Sequence, residues 1–189
     1  MVRGVGQLAC GLPRTTVYGR FRPMPETIRI NFVTGAVRRY VPEIEAISEL
    51  PALVAAGSAG HNATWFREPA DAEWAPAHLV GHLIAYCWVS RENLYRMSYM
   101  TDPIIKRLDH DGQQEIHQWQ TQSREALLEQ LEAGVAEITH LLKELPDSSW
   151  GRPGQHPEDG RRSIKQQARA MRVHFDEHLA QLGKMSAGA

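Results

Sequence analysis

The stretch PAHLVGHLIAYCWVSRENLYRM, residues 76–97, limits the possible folds more than any other part of the chain. It opens on Pro76, whose fixed φ and missing N–H suit the first turn of a helix. Leu79, Val80, Leu83, Ile84, Trp88, Leu94 and Met97 spread apolar surface around most of the helical circumference. A helix of that kind must be enclosed by neighbours. The chain supplies them. From Glu115 to Leu145 a second long helix is predicted, with Leu127, Leu131, Val135, Ile138, Leu142 and Leu145 spaced by three and four and Pro146 as its stop. Ser163 is the expected N-cap of a third, which carries Ile164, Ala168, Met171, Phe175, Leu179 and Leu182. SELPALVAAG offers Ser48 as cap, Pro51 in the first turn and Gly57 near the end of a shorter first helix. Thr101–Gln114 and Pro146–Arg162 read as loops from their Asp, Pro and Gly content. Long helices without βαβ alternation predict an all-α fold, a bundle of four main helices.

The 189 residues suffice for one domain with a full core, and 42% hydrophobic with 23% charged residues is ordinary for a soluble globular protein. Residues 1–23 hold Arg3, Arg14, Arg20 and Arg22 and no acid, so they read as an irregular basic arm, with Met24 as an alternative start and 24–189 as the bundle domain. TIRINFV, residues 27–33, alternates as a short strand would. A net charge of −1 provides no field for a polyanion, which argues against nucleic acid as a partner. No run approaches the roughly 18 apolar residues of a membrane span. Cys10 and Cys87 form no zinc or disulfide spacing, and a reducing, cytoplasmic setting is expected.

The third long helix contains VHFDEHLAQL, in which His174 and His178 stand four residues apart. At about 100° per residue both rings fall on one face, at the edge of the apolar stripe and nearly opposite Lys165, Arg169, Arg172 and Asp176. His78, His82, Tyr86 and Asn93 form a similar narrow polar stripe on the 76–97 helix. Buried polar groups left unpaired cost about 1–3 kcal/mol each, so two inward stripes need each other or a shared ligand. A divalent cation would satisfy several neutral imidazoles together. His61, His110, His117, His140 and His156 fall in loops or on solvated helix faces and are assigned no role; Cys87 points away from His82 and is expected to be a buried hydrophobe.

EWAPAHLVGHL and HFDEHLAQL together resemble the DinB-like (YfiT-like) proteins, in which a tryptophan and a proline precede a histidine-leucine pair and a terminal H-x3-H-L-x-Q motif closes the domain. The resemblance runs from about Met24 to Lys184 and rests on order and spacing. It implies an up-down-down-up four-helix bundle, homodimers, and a divalent metal held by His82, His174 and His178, with zinc or nickel expected and iron or manganese as alternatives. Three protein ligands leave coordination positions open, as in catalytic sites. Relatives of this kind include transferases that join a low-molecular-weight thiol such as bacillithiol or mycothiol to electrophiles. A small-molecule substrate and a transferase or hydrolase activity are therefore expected. His78 stands where relatives carry an acid, as a fourth ligand, a partner behind the ligands or a proton shuttle. His78 or Tyr86 would hydrogen-bond the nucleophile or move its proton.

Other readings fare worse. A ferritin-like di-metal bundle needs two Glu-x-x-His motifs, and only Glu137–His140 is present. His110-Asp111 reads as a chance HD dipeptide, and GVGQLA from Gly4 follows no strand. The alternative that survives is a noncatalytic metal-binding bundle acting as a sensor or dimeric interaction module.

Overall fold

The computed structural model describes residues 38–69, 74–157 and 160–187. The arm at 1–23 and the strand expected at 27–33 lie outside them. The described helices are α1 (Val41–Ser48), α2 (Leu50–Ser58), α3 (Pro76–Tyr99), α4 (His110–His117), α5 (Arg124–Glu144) and α6 (Ile164–Ala187), with a hairpin of β1 (Pro153–His156) and β2 (Gly160–Ser163) leading into α6. α1 and α2 act as one broken first helix. None of the described helices is long and apolar enough to cross a membrane.

The direction of each long helix follows from its contacts. The Ala77 N–H donates to the Trp65 carbonyl and the Trp65 indole donates to the Gln122 carbonyl, so α3 and α5 begin at the same end. Further along, a Cβ on Gly134 would stand 3.2 Å from the Cys87 Cβ, and Arg91 pairs with Glu137, so the two helices run parallel. α6 starts at the far end of α3, where the Ile164 N–H meets the Arg152 carbonyl and Arg152 in turn donates to the carbonyls of Met97 and Met100. α6 ends beside the end of α2, with Leu179 and Leu182 against Gly57 and His61 on the Leu182 carbonyl. The order is therefore up, down, down, up. α3 packs on α5 and α6, and α1 and α2 pack on the same two helices from the opposite diagonal. Ile44, Ile47, Val54, Leu83, Ile84, Leu127, Leu131, Ile138, Leu142, Ile164 and Phe175 fill the centre with essentially no exposed surface. Tyr40 stacks on Trp150 at 4.0 Å on the core's edge.

Local departures from the sequence expectations have local causes. Ser48 does not cap a helix; it ends α1, with its hydroxyl on the Glu45 carbonyl, and the first helix already begins at Val41 with Pro42 in its first turn. The second long helix starts at Arg124 rather than Glu115. Ser123 caps it by accepting from the Ala126 N–H, and upstream Gln118 adopts φ +47°, which terminates a separate helix, α4. The region from Asp102 is thus a loop only as far as Asp109. The Pro146–Arg162 region contains a 3-10 turn at Asp147–Gly151 and the hairpin, to whose Gln155 the loop residue Ile104 bridges. Ser163 does begin α6: its hydroxyl accepts from the Gln166 N–H while the Gln166 side-chain oxygen Oε1 accepts from the Ser163 N–H, a reciprocal cap.

Candidate metal centre

α3 delivers His82 from its seventh position into the bundle, with the ring 8% exposed. α6 delivers His174 and His178 from consecutive turns. The Nε2 atoms of His82 and His174 face each other at 2.9 Å. Ring centroids lie 5.0 Å apart for His82–His174, 4.8 Å for His82–His178 and 4.5 Å for His174–His178. One ligand atom from each of the three lies within 4.8 Å of the others, and this is a group among the described residues that could hold a metal ion.

The surroundings fix how these rings present themselves. His178 Nδ1 sits 3.0 Å from the Gln181 side-chain oxygen, an acceptor, so Nδ1 carries the hydrogen and Nε2 is left bare. Burial, and then the neighbouring His174, His178 and His110, push His82 down to about 3 from an ordinary 6.5. Burial and His178 push His174 down to about 4. Burial also lowers His178, against opposing contributions from Gln181 and Glu177. The cluster is therefore neutral at pH 7, the form in which imidazole binds a metal. Nitrogens around one ion with bonds of about 2.0–2.1 Å stand roughly 3.3 Å apart, a spacing lying between the closest and widest separations observed, so the donor set fits a divalent cation.

Tyr86, one turn after His82, stacks on His174 with centroids 3.9 Å apart. Burial raises its phenol, with Arg162 opposing, so it remains a protonated donor. His78 stands outside the three-histidine group. It is half-buried, with Nδ1 3.9 Å from Glu68, and Nδ1 makes no hydrogen bond. Asn93, the last member of the predicted stripe, serves structure: it holds the backbone of Lys106 at both N–H and carbonyl. Cys87 is wholly buried and burial pushes its thiol well above the ordinary range, as expected of a packing residue.

Two neighbours complete the site. Trp74 lies against three of the rings, with centroid distances of 4.9 Å to His82, 4.3 Å to His110 and 6.0 Å to His178. His110, read from sequence as incidental, stands with Nδ1 3.1 Å from His82 Nδ1. It arrives there because Asp109 caps α4 by accepting from the Gly112 N–H, and a Cβ at Gly112 would overlap that carboxylate. The signal available in sequence was the D-x-x-G cap itself. Two further histidines also differ from expectation: His61 is buried on the Leu182 carbonyl, and His117 packs against Trp88 and Trp119.

The sequence pattern of the DinB superfamily matches residues 49–182, most of the chain. The chain belongs to the DinB superfamily. Among solved structures it is similar to YfiT from Bacillus subtilis, described as a probable metal-dependent hydrolase with an unusual four-helix bundle topology. Identity is 20%, the match covers 78% of this chain and 85% of that one, and the TM-score is 0.70. No curated protein matches. The DinB match covers every residue that bears a ring of the cluster, from Trp74 and His82 through His110 to His174 and His178. Its first matched residue, Glu49, falls at the break between α1 and α2.

Proposed function

We propose that this DinB-superfamily chain is a divalent-metal-dependent enzyme in which His82, His174 and His178 hold the ion and a small molecule with an electrophilic carbon is attacked by water or by a low-molecular-weight thiol. The observation that carries the reading is the convergence of three neutral imidazoles, one from α3 and two from the neighbouring α6, within 4.8 Å. The YfiT likeness supports metal-dependent hydrolysis as one of the two outcomes. A divalent ion held by these three residues would supply Lewis acidity, which makes a water or thiol nucleophile available near neutral pH.

The chain's own residues account for the rest. Gln181 holds His178 with Nε2 forward. Tyr86, protonated and fixed against His174, donates a hydrogen bond to charge that develops on the reacting group. His78, one turn before His82 and beside Glu68, takes the released proton toward solvent. A cleft of about 610 Å³ lies between α3 and the 106–113 segment, lined in part by Ala85, Trp88, Val89, Leu108 and Asp109, of which Ala85 and Asp109 are the sequence neighbours of Tyr86 and His110.

Elemental analysis of untagged protein tests the site. About one ion per chain is expected in wild type, and none in His82→Ala or His174→Ala with the helical circular dichroism unchanged. Screens for ester or amide hydrolysis and for thiol transfer, run on the same set, then test the chemistry. Turnover that disappears in the variants supports the reading, whereas an ion bound without either activity favours the noncatalytic sensor.

A further inference from the structure

His110 reaches the centre from α4, outside the bundle helices, and meets His82 at the ring nitrogen turned away from His174. Two Nδ1 atoms 3.1 Å apart share a single hydrogen: both bare would repel, and both protonated would clash. Which ring supplies it follows from the other side of His82. Its Nε2 faces the His174–His178 pair and must be bare to act as a ligand, so a neutral His82 carries its hydrogen on Nδ1. His82 is then the donor. His110 must accept at a bare Nδ1 and keep its own hydrogen on Nε2.

We infer that His110 is a positioning residue, whose Nδ1 accepts the His82 Nδ1–H and thereby fixes the ring plane and the tautomer that aims His82 Nε2 at the metal. This rests on the three-histidine reading above. Ligand imidazoles commonly hand their second N–H to a carboxylate or backbone carbonyl; here a fourth imidazole takes that place. His110 is itself held. Trp74 stacks on it at 4.3 Å with the planes 28° apart, and the Asp109 cap on Gly112 fixes the turn that carries it. Gln181 does the same for His178, so two of the three ligands have a partner behind the ring.

The test compares wild type, His110→Ala and His110→Asn, because the Asn side-chain oxygen can take the place of Nδ1 as acceptor. Zinc affinity is read by competition with a chromophoric chelator, the ligand field by the visible absorption of the cobalt-loaded protein, and protonation by heteronuclear NMR of the histidine ring nitrogens with zinc bound. The expected result is affinity weakened roughly ten- to hundred-fold in His110→Ala, with a shifted cobalt spectrum, and restored to within about threefold of wild type in His110→Asn. NMR should find His82 protonated at Nδ1. Zinc affinity unchanged in His110→Ala, no rescue by Asn, or a His82 Nδ1 without a proton would each overturn the assignment. Wild type that binds no zinc would instead overturn the metal reading, so the two failures are distinguishable.

Discussion

Acidifying the metal-free protein from pH 7.5 to pH 5 should remove about 4 kcal/mol of folding stability through two side chains, His82 and His174. In the folded state burial holds them down to about 3 and about 4, so neither takes a proton at pH 5. In the unfolded chain both return to an ordinary 6.5 and are almost fully protonated at that pH. The difference between 6.5 and the working pH is about 1.5 units, and at 1.36 kcal/mol per unit each histidine costs about 2 kcal/mol. The folded values do not enter the sum at pH 5, because both lie below it. The sign is fixed: a group whose pKa falls on folding contributes fully above 6.5, and its contribution is lost as pH drops toward the folded value. His178 and His110, also lowered, act in the same direction. Carboxylates titrate near 4 and contribute little in this window. Urea unfolding followed by far-ultraviolet circular dichroism, with EDTA present at several pH values between 7.5 and 5, measures the slope. For a chain of this size the loss corresponds to roughly 8–16 °C in Tm. His82→Gln should remove about half of the pH dependence. A free energy that changes by less than about 1 kcal/mol over the range would show that the rings are solvated and would refute the buried cluster.

Two further outcomes follow from packing around the same end of the bundle. A Cβ at Gly81 would stand 2.5 Å from the Cβ of Trp119, itself wholly buried, so Gly81→Ala should cost about 1–3 kcal/mol in urea unfolding; a neutral change would mean that α3 and the 119–121 turn are not in contact. Because Trp74 lies against His82, His110 and His178, cobalt or nickel should quench tryptophan emission, and Trp74→Phe should abolish most of the effect; quenching that survives the substitution places the ion elsewhere.

What could be read from sequence and what could not divides along physical lines. The inward faces of α3 and α6 were readable because helix geometry converts spacing into direction: His82 lies on a polar stripe of an otherwise apolar helix, and His174 and His178 lie one turn apart. The Ser163 cap and the buried Cys87 were readable for the same local reason. His110 was not, because eight residues of α4 are too few for a periodic signal and its value comes from a contact with a residue 28 positions away. The burial of His61 depends on a carbonyl 121 positions away. The hairpin shows no apolar alternation, since its strands read PGQH and GRRS. Ser48 illustrates a different failure: the helix expected there does form, as α2 with Pro51 in its first turn and Gly57 near its end, but Glu49 stands at its N-cap and the Ser48 hydroxyl turns back onto the Glu45 carbonyl in α1.

The topology and the chemistry of the centre are coupled. α3 and α5 run parallel, so the chain leaving Tyr99 must travel back along the bundle before α5 can begin at Arg124. A tight turn would have sufficed for antiparallel neighbours. That return path is anchored at one end by Asn93 on Lys106 and at the other by Gln122 against Trp65, and α4 lies between the two anchors. It therefore crosses α3 at the level of His82, which is why a residue outside the four main helices can reach the far nitrogen of a ligand ring. In this bundle the long crossover that the parallel pair requires is also the element that brings His110 to the three-histidine cluster.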